Sequence, residues 1–347
     1  MNDDTNISRM LTDQLSRLLE ASVDAPLLAK IEKGTAGSAL NDAVAELGLD
    51  MALVPEDKDG AGLDWSDAAP LFEVLGYYAA PVDLGEQIIA QWALAQAGLP
   101  ASDPAPAVAL GLAKLSADGG LSGTVTIPWG SADRCVLVEA MQDDMRVLCL
   151  LDAAAMAASV PVSTVGRIPT RRLKLNGAAV QASGPLGAIG LGDVSALLRA
   201  AYIAGALSRA LELTLDYCNT RTQFGRTIGK FQAVQQMVAQ LASEAAAAKA
   251  GTQLGMTAMG SGNAGMQIAI AKQRASAAVA KSAAIAHEVH GAIGVTEEHI
   301  LHYFTRRLWQ WREEAGSEHV WAERLGREVI ARGGAAAWPT MVGLSAR

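Results

Sequence analysis

Residues 221–235 read Arg-Thr-Gln-Phe-Gly-Arg-Thr-Ile-Gly-Lys-Phe-Gln-Ala-Val-Gln, and the rest of the chain is best read outward from them. They follow one helix-patterned run, Ala200–Tyr217, and open another, Gln232–Ala250. A basic, glycine-containing turn therefore joins two long helices. At the start of the second helix the first backbone N–H groups lack intrahelical partners, and the helix dipole favours negative charge there. An arginine, two glutamines and open amides at that point suit a pyrophosphate. The spacing alone also fits an ordinary helix–helix turn, so the residue identities have to decide.

Composition sets the bounds. A chain of 347 residues is long enough for two or three packed subdomains, and with half its residues hydrophobic it can bury a large core. Its net charge of −8 implies no general affinity for nucleic acid, while a local basic site for phosphates remains compatible. Cys135, Cys149 and Cys218 show neither paired nor metal-type spacing, which reads as a reducing, cytoplasmic setting. The first residues, Met1-Asn-Asp-Asp-Thr5, lack the basic start and apolar core of a signal peptide. No charge-free apolar run of about 18 residues is seen, so no membrane span is expected. The alanine-rich stretches Ala245–Ala250 and Ala275–Ala286 also carry Lys and Ser and read as closely packed helices.

Three regions of different period follow along the chain. From Asn6 to Gly98 the reading is helical, with runs at Ile7–Glu20, Ala36–Gly48, Trp65–Gly76 and Gly85–Gly98. Pro55 and the Asp59-Gly-Ala-Gly-Leu63 cluster punctuate them. From Ala105 to Ile189 short strands are expected at Gly123–Ile127, Arg134–Val138, Arg146–Leu151 and Arg172–Leu175, with a hairpin at Asp118-Gly-Gly120. Gly184–Gly192 is glycine-rich, but its spacing is not the dinucleotide fingerprint, and it reads as a loop. Helices return at 193–219, 231–258, 263–290, 296–306 and 317–332. The expected fold is mostly α with a small middle β domain. Its domains are a helical domain over 1–100, a reduced β domain over 101–190 and a helix bundle over 191–347.

Arg221-x-Gln223-Phe224-Gly225, followed by Ile228-Gly-x-Phe-Gln232, resembles the flavin-binding turn of the acyl-CoA dehydrogenase family. Leu47-Gly-Leu-Asp-Met-Ala-Leu-Val-Pro-Glu56, Gly60-Ala-Gly-Leu63 and Phe72-Glu-Val-Leu-Gly76 resemble that family's N-terminal domain. The resemblance implies FAD as cofactor. Arg221, Gln223 and Gln232 would contact its diphosphate and adenine, and Phe224 would pack on it. His290-Gly291-Ala-Ile-Gly294 resembles the family's His-Gly-Gly-x-Gly segment, which lies against a neighbouring subunit's FAD. Ala292 replaces the second glycine, and Glu288 stands where the family usually has a glutamine. All five histidines fall between His287 and His319. The pairs His287/His290 and His299/His302 have helical spacing, but glycines separate them and no cysteine lies near, so no metal is expected.

The implied reaction, α,β-dehydrogenation of an acyl-CoA, needs a carboxylate base. Most relatives place it in a Tyr-Glu-Gly-Thr loop. Here that loop aligns with Glu314-Ala-Gly-Ser317, which puts Ala315 at the base position. A one-residue slip would make Glu314 the base. Otherwise Glu313 and Glu314 read as a solvated charge pair beside Arg312. A minority of the family carries the base after the Phe-Gln turn. The matching Ala258–Asn263 has no carboxylate, and the nearest is Glu244. The family's Thr-Glu-x-x-x-Gly-Ser-Asp loop has no match between Leu99 and Gly130. This pattern, with the ending Leu301-His-Tyr-Phe-Thr-Arg-Arg-Leu-Trp-Gln-Trp-Arg-Glu-Glu314, is similar to the short, base-lacking subunits of heteromeric acyl-CoA dehydrogenases of steroid side-chain breakdown. It implies a longer acyl-CoA dehydrogenase partner in a heterodimer or heterotetramer, and electron-transfer flavoprotein as acceptor. Two alternatives remain open: a homo-oligomeric enzyme using Glu314, and a structural subunit without FAD.

Overall fold

The computed structural model describes residues 3–34, 37–131, 133–261 and 264–345. Five helices come first: α1 (Asp3–Ser22), α2 (Ala25–Glu32), α3 (Ser38–Ala45), α4 (Trp65–Tyr77) and α5 (Leu84–Gln96). Seven strands follow: β1 (Ala107–Leu115), β2 (Gly120–Pro128), β3 (Val136–Gln142), β4 (Met145–Leu151), β5 (Val160–Val162), β6 (Thr170–Ala179) and β7 (Ala182–Pro185). After them come α6 (Leu191–Thr220), the two-residue strands β8 (Thr222–Gln223) and β9 (Arg226–Thr227), α7 (Gln232–Ala258), α8 (Gly265–His290), α9 (Leu301–Glu313), α10 (Glu318–Arg332) and α11 (Gly334–Ser345).

The main core is helical. Helix α6 runs through its centre and packs on α4, α7, α8 and α9. This helix is apolar enough over its length to cross a membrane, but 83% of its most apolar window is buried inside the protein, so its apolar face belongs to the core. Two glycines set the α4–α6 approach. A Cβ at Gly76 would lie 2.2 Å from the Tyr202 carbonyl oxygen, and one at Gly205 would lie 2.0 Å from that of Glu73. Only a missing side chain lets the two backbones come so close. A separate, smaller core fills the sheet, where alternating residues such as Val136, Val138 and Ala140 face one side. A third core, built from Ala210, Cys218, Leu241, Ile285, Ala286, Val289 and Leu301, sits beneath the 221–235 turn.

The sheet order is β5-β6-β2-β1-β3-β4-β7, antiparallel except for the parallel pair β1–β3. The expected hairpin at Asp118–Gly120 joins β1 to β2, with Gly119 at φ 83°. Strand β1 itself was not expected. Its sequence, Ala-Val-Ala-Leu-Gly-Leu-Ala-Lys-Leu, is poor in β-branched residues, and partners on both sides make it a strand. Helix α9 begins at Leu301 rather than at 296, because Gly291–Val295 forms a tight 3-10 segment and a turn follows it. Strand β7 takes the first residues of the expected 184–192 loop, and α2 and α11 are further additions to the reading. Of the 258–263 stretch, Gly262 and Asn263 lie outside the described residues.

Candidate active site

The 221–235 turn projects as an exposed arm. Thr222 pairs with Thr227 and Gln223 with Arg226, which leaves Phe224 and Gly225 at the tip. Both have left-handed backbone, φ 50° and 76°, the pairing that a two-residue hairpin with native twist requires. Glycine adopts this without strain, whereas for Phe224 it costs on the order of 1 kcal/mol. The Phe224 side chain is nonetheless 91% exposed. At the arm's base the Ile228 amide donates to the Arg221 carbonyl at 2.9 Å, and the Arg226 guanidinium lies 4.1 Å from the Phe231 ring centre. Arg221, Gln223 and Gln232 are all exposed. No side chain caps the start of α7, a 27-residue helix.

The His290–Gly294 segment lies at the far end of α8, against the root of the arm. Buried His290 stacks on Tyr217, ring centres 4.6 Å apart, one helical turn before Arg221. Gly291 reverses the chain at φ 63°. A Cβ at Gly294 would come within 2.9 Å of the His290 Cβ, so this position has no room for a side chain. Ala292 and Glu288, the two departures from the family pattern, are both exposed. The extra methyl and the carboxylate are therefore accommodated at the surface.

The base region sits elsewhere, in a cavity of about 620 Å³ between the sheet and the α9–α10 turn. Its apolar wall includes Leu110, Leu112, Trp309 and Trp321. Ala315, with φ 53°, is also part of the lining. Four carboxylates line the same space, and each is ion-paired. Glu313, exposed, meets Arg312 at 2.9 Å. Asp193 meets Arg146 at 2.8 Å and Arg324 at 2.6 Å, and these partners hold its carboxyl below the usual range against the opposing effect of burial. Burial pushes Glu139 up, yet one of its oxygens accepts from the Gly192 amide at 2.7 Å and the other lies 3.4 Å from Arg146.

Glu314 corrects the expectation of a solvated charge pair. Its side chain is only 9% exposed, and Arg199 Nε donates to it at 2.5 Å. Its other oxygen accepts from Gln310 Nε2 at 2.5 Å, and the Gly166 amide in turn donates to Gln310 at 3.2 Å. Arg199, 1% exposed, also meets Glu86 of α5 at 2.7 Å, an ion-pair contact outside hydrogen-bond alignment. Burial pushes the Glu86 carboxyl up while the Arg199 charge pulls it down, and the Tyr202 hydroxyl donates to it at 3.0 Å. Two carboxylates from different elements thus meet one arginine. Nearby, Lys272 Nζ donates to the Trp311 and Arg312 carbonyls at the end of α9. Burial first, then the nearby Arg199 charge, lowers its pKa to about 7. The remaining candidate, Glu244, is bound to Arg274 and Lys281 of α8, away from the cavity.

The arm and the cavity answer differently to the implied cofactor. An uncapped helix start, flanked by exposed Arg221 and Gln232 and an outward Phe224, fits the diphosphate and adenine end of FAD. At the cavity, the charged lining groups are already ion-paired. Among the described residues no cluster of three or more His, Cys, Asp or Glu side chains could hold a metal ion. Sequence reading missed Arg199, Glu86, Gln310 and Lys272. The available signal was a lone charge inside an apolar helical run, as at Arg199 in Val194–Ala206.

The fold and these groups agree with what the chain resembles. Residues 5–102 match the family "Acyl-CoA dehydrogenase, N-terminal domain" and residues 179–330 match "Acyl-CoA dehydrogenase, C-terminal domain". Acyl-CoA dehydrogenase IpdE2 of Mycobacterium tuberculosis is 32% identical over 289 residues, covering 82% of this chain and 84% of that one. The ChsE4-ChsE5 complex from Mycobacterium tuberculosis contains a chain that superposes with a TM-score of 0.84 at 25% identity, covering 95% of this chain and 98% of that one. A chain of the Tcur3481-Tcur3483 steroid ACAD G363A variant superposes with a TM-score of 0.85 at 28% identity, covering 95% and 99%. The helix–sheet–helix order is thus that of a known group of oxidoreductases acting on CH–CH bonds, and the chain belongs to the acyl-CoA dehydrogenase family.

Proposed function

We propose that this chain is the base-lacking subunit of a heteromeric, FAD-dependent acyl-CoA dehydrogenase, and that a longer partner of the same family supplies the catalytic carboxylate. The observation that carries the reading is the state of the cavity: Ala315, which the resemblance aligns with the base position, lines it, and every lining carboxylate is paired with an arginine. A base for the acyl α-proton needs a carboxylate open to the substrate in an apolar pocket. Glu314 is close in sequence, but both its oxygens are engaged.

On this reading the arm holds one end of the cofactor. Arg221 and Gln232 bind the diphosphate and adenine side, Gln223 adds a polar contact, and Phe224 covers the cofactor from the hairpin tip. Exposed Gly291, backed by buried His290 and Gly294, supports the approach of a second FAD end brought by the neighbouring subunit. When bound, FAD would supply the acceptor for the hydride that leaves the acyl β-carbon. The heteromeric complexes with similar chains support an unlike partner, and the steroid ACAD among them favours a ring-bearing acyl group. Electron-transfer flavoprotein is the acceptor expected for the family.

The test is to purify the chain alone and together with a longer acyl-CoA dehydrogenase encoded beside it. Flavin content and dehydrogenation of a ring-bearing acyl-CoA are expected only in the mixed complex. Full flavin content and turnover from the lone chain would overturn the reading in favour of a homo-oligomer using Glu314. A stable but colourless complex would favour a structural subunit.

A further inference from the structure

Four of the five histidines form one cluster at the root of the arm. His290 lies 4.6 Å from Tyr217 and 4.6 Å from His299, measured between ring centres. His287 Nε2 is 2.8 Å from the Thr305 hydroxyl, and the His302 ring lies tilted against Tyr303, ring centres 4.0 Å apart. The hydrogen bonds fix where the protons sit. His290 Nδ1 donates to the Ala286 carbonyl and His302 Nδ1 to that of His299, whereas His299 Nδ1 accepts from the Leu301 amide. The Thr305 hydroxyl leans toward the His302 carbonyl, so His287 Nε2 is the donor in its pair. That leaves His287 Nδ1 and His290 Nε2 bare, buried and without an aligned hydrogen-bond partner. The Leu213 carbonyl approaches His290 without forming an aligned bond. His287 Nδ1 faces Gly294, 3.3 Å from where a Cβ would stand.

We infer that this cluster is a pH-sensitive latch beneath the arm, closed when its imidazoles are neutral and opened by their protonation. A proton on His287 Nδ1 would create a buried N–H facing carbon, and each added charge would repel its neighbours. Burial first, and then neighbouring imidazoles for His287 and His299, keep these groups below their usual value of 6.5. At His302 burial is again the main cause, and Arg306 adds to it. The facing groups are Tyr217 and the Leu213 carbonyl from α6, Glu297 in the turn, Thr305 and Arg306 of α9, and Glu32 of α2. The lever is the third core. Ile285, Ala286, Val289 and Leu301 border the histidines, and the same cluster packs Ile228 of the arm and Val234 of α7. Because the unfolded chain protonates near pH 6.5 and the closed cluster only lower, closure is fully stable above that pH and weakens as pH falls below it. A small core opens as a local unit more readily than the whole fold. The latch rests on the functional reading only for what the arm holds.

The test measures hydrogen exchange in the full chain at pH 7.5 and 5.5 without flavin, corrected for intrinsic rates. Residues 213–241 and 285–301 should open at least tenfold more at pH 5.5, while α4 stays protected. Equal protection at both pH values would overturn the latch, whatever the outcome of the flavin test. The H287Q/H290Q/H299Q variant should lose most of the pH dependence, and an undiminished dependence would also overturn it. Should that variant not fold, the imidazole Cε1–H resonances of the unaltered chain decide. All four should titrate below 6.5, and a midpoint at or above 6.5 for His287 or His290 would sink the proposal.

Discussion

The arm at 221–235 and the Glu86–Arg199–Glu314 clasp are both rich in polar groups, and they are built in opposite ways. In the arm the arginine, glutamines and helix-start amides face outward, and a phenylalanine is held in a left-handed turn with almost no cover. In the clasp the charges face inward, and their partners come from α5, α6, α9 and the α9–α10 turn. Exposed groups left without partners, on a backbone that carries strain, are a surface waiting for something. Buried groups that are paired are part of the frame. On the proposed reading, the same chain keeps a binding surface while Glu314 has been absorbed into the structure.

The largest effect should come from breaking the clasp. Arg199→Met leaves Glu86 and Glu314 buried without their cation, and breaking a buried pair in this way costs about 3–5 kcal/mol. Urea denaturation of the chain should show this loss, and a change below about 1 kcal/mol would mean that the clasp is not a frame element. Adding Glu86→Gln to Arg199→Met should recover part of it, since one buried charge is then gone.

Lys272→Met should cost less, about 1–3 kcal/mol, because it leaves two carbonyls at the end of α9 without a donor. Here the pH dependence has a definite sign. The Lys272 pKa falls from 10.5 to about 7 on folding, so the unfolded chain holds the extra proton above pH 7. Stability should therefore rise from pH 7 to about 8.5, and the Lys272→Met variant should lose that rise. The window closes near 9, where Cys149, pushed up to about 11 by burial, contributes the opposite slope. A flat profile in the unaltered chain would show that Lys272 stays charged in the fold.

What could be read from the sequence follows the same division. The arm's place between two helices was legible because it is local: Arg221 to Gln232 are neighbours in the chain, and a turn between two helices needs no distant partner. The helices around it were legible for the same reason, through their period. The clasp was not legible. Glu86, Arg199 and Glu314 are far apart in sequence, and only the packing of α5 on α6 and of α6 on α9 brings them together. Glu314 beside Arg312 and Glu313 looked like a surface run, but the left-handed Ala315 and the Arg199 fork set its direction inward. Strand β1 was hidden for a related reason, since its small residues become a strand only between β2 and β3.

Glu314→Gln tests the middle of the comparison. The substitution keeps the shape, but with its oxygen on Arg199 its amide nitrogen cannot accept from Gln310 Nε2, so the loss should be about 1–3 kcal/mol. In the mixed complex, turnover should stay within about twofold, because the chain's own carboxylate moves no proton. A fall of a hundredfold or more, with flavin still bound, would identify Glu314 as a base and return the chain to the self-sufficient class.

The arm should give the smallest effect on stability and a large one on binding. Arg221→Ala and Phe224→Ala remove exposed side chains, so the thermal midpoint of the lone chain should move by no more than about 2 °C. Phe224→Gly should if anything raise it, because a left-handed tip favours glycine. Flavin content of the mixed complex should nevertheless drop sharply with each, read from its visible absorbance after gel filtration. The two readouts separate the regions more cleanly than either alone. A clasp residue moves stability first, and an arm residue moves cofactor content with stability untouched. If Phe224→Ala lowers stability and leaves flavin content unchanged, the exposed ring serves the fold after all, and the arm belongs with the clasp.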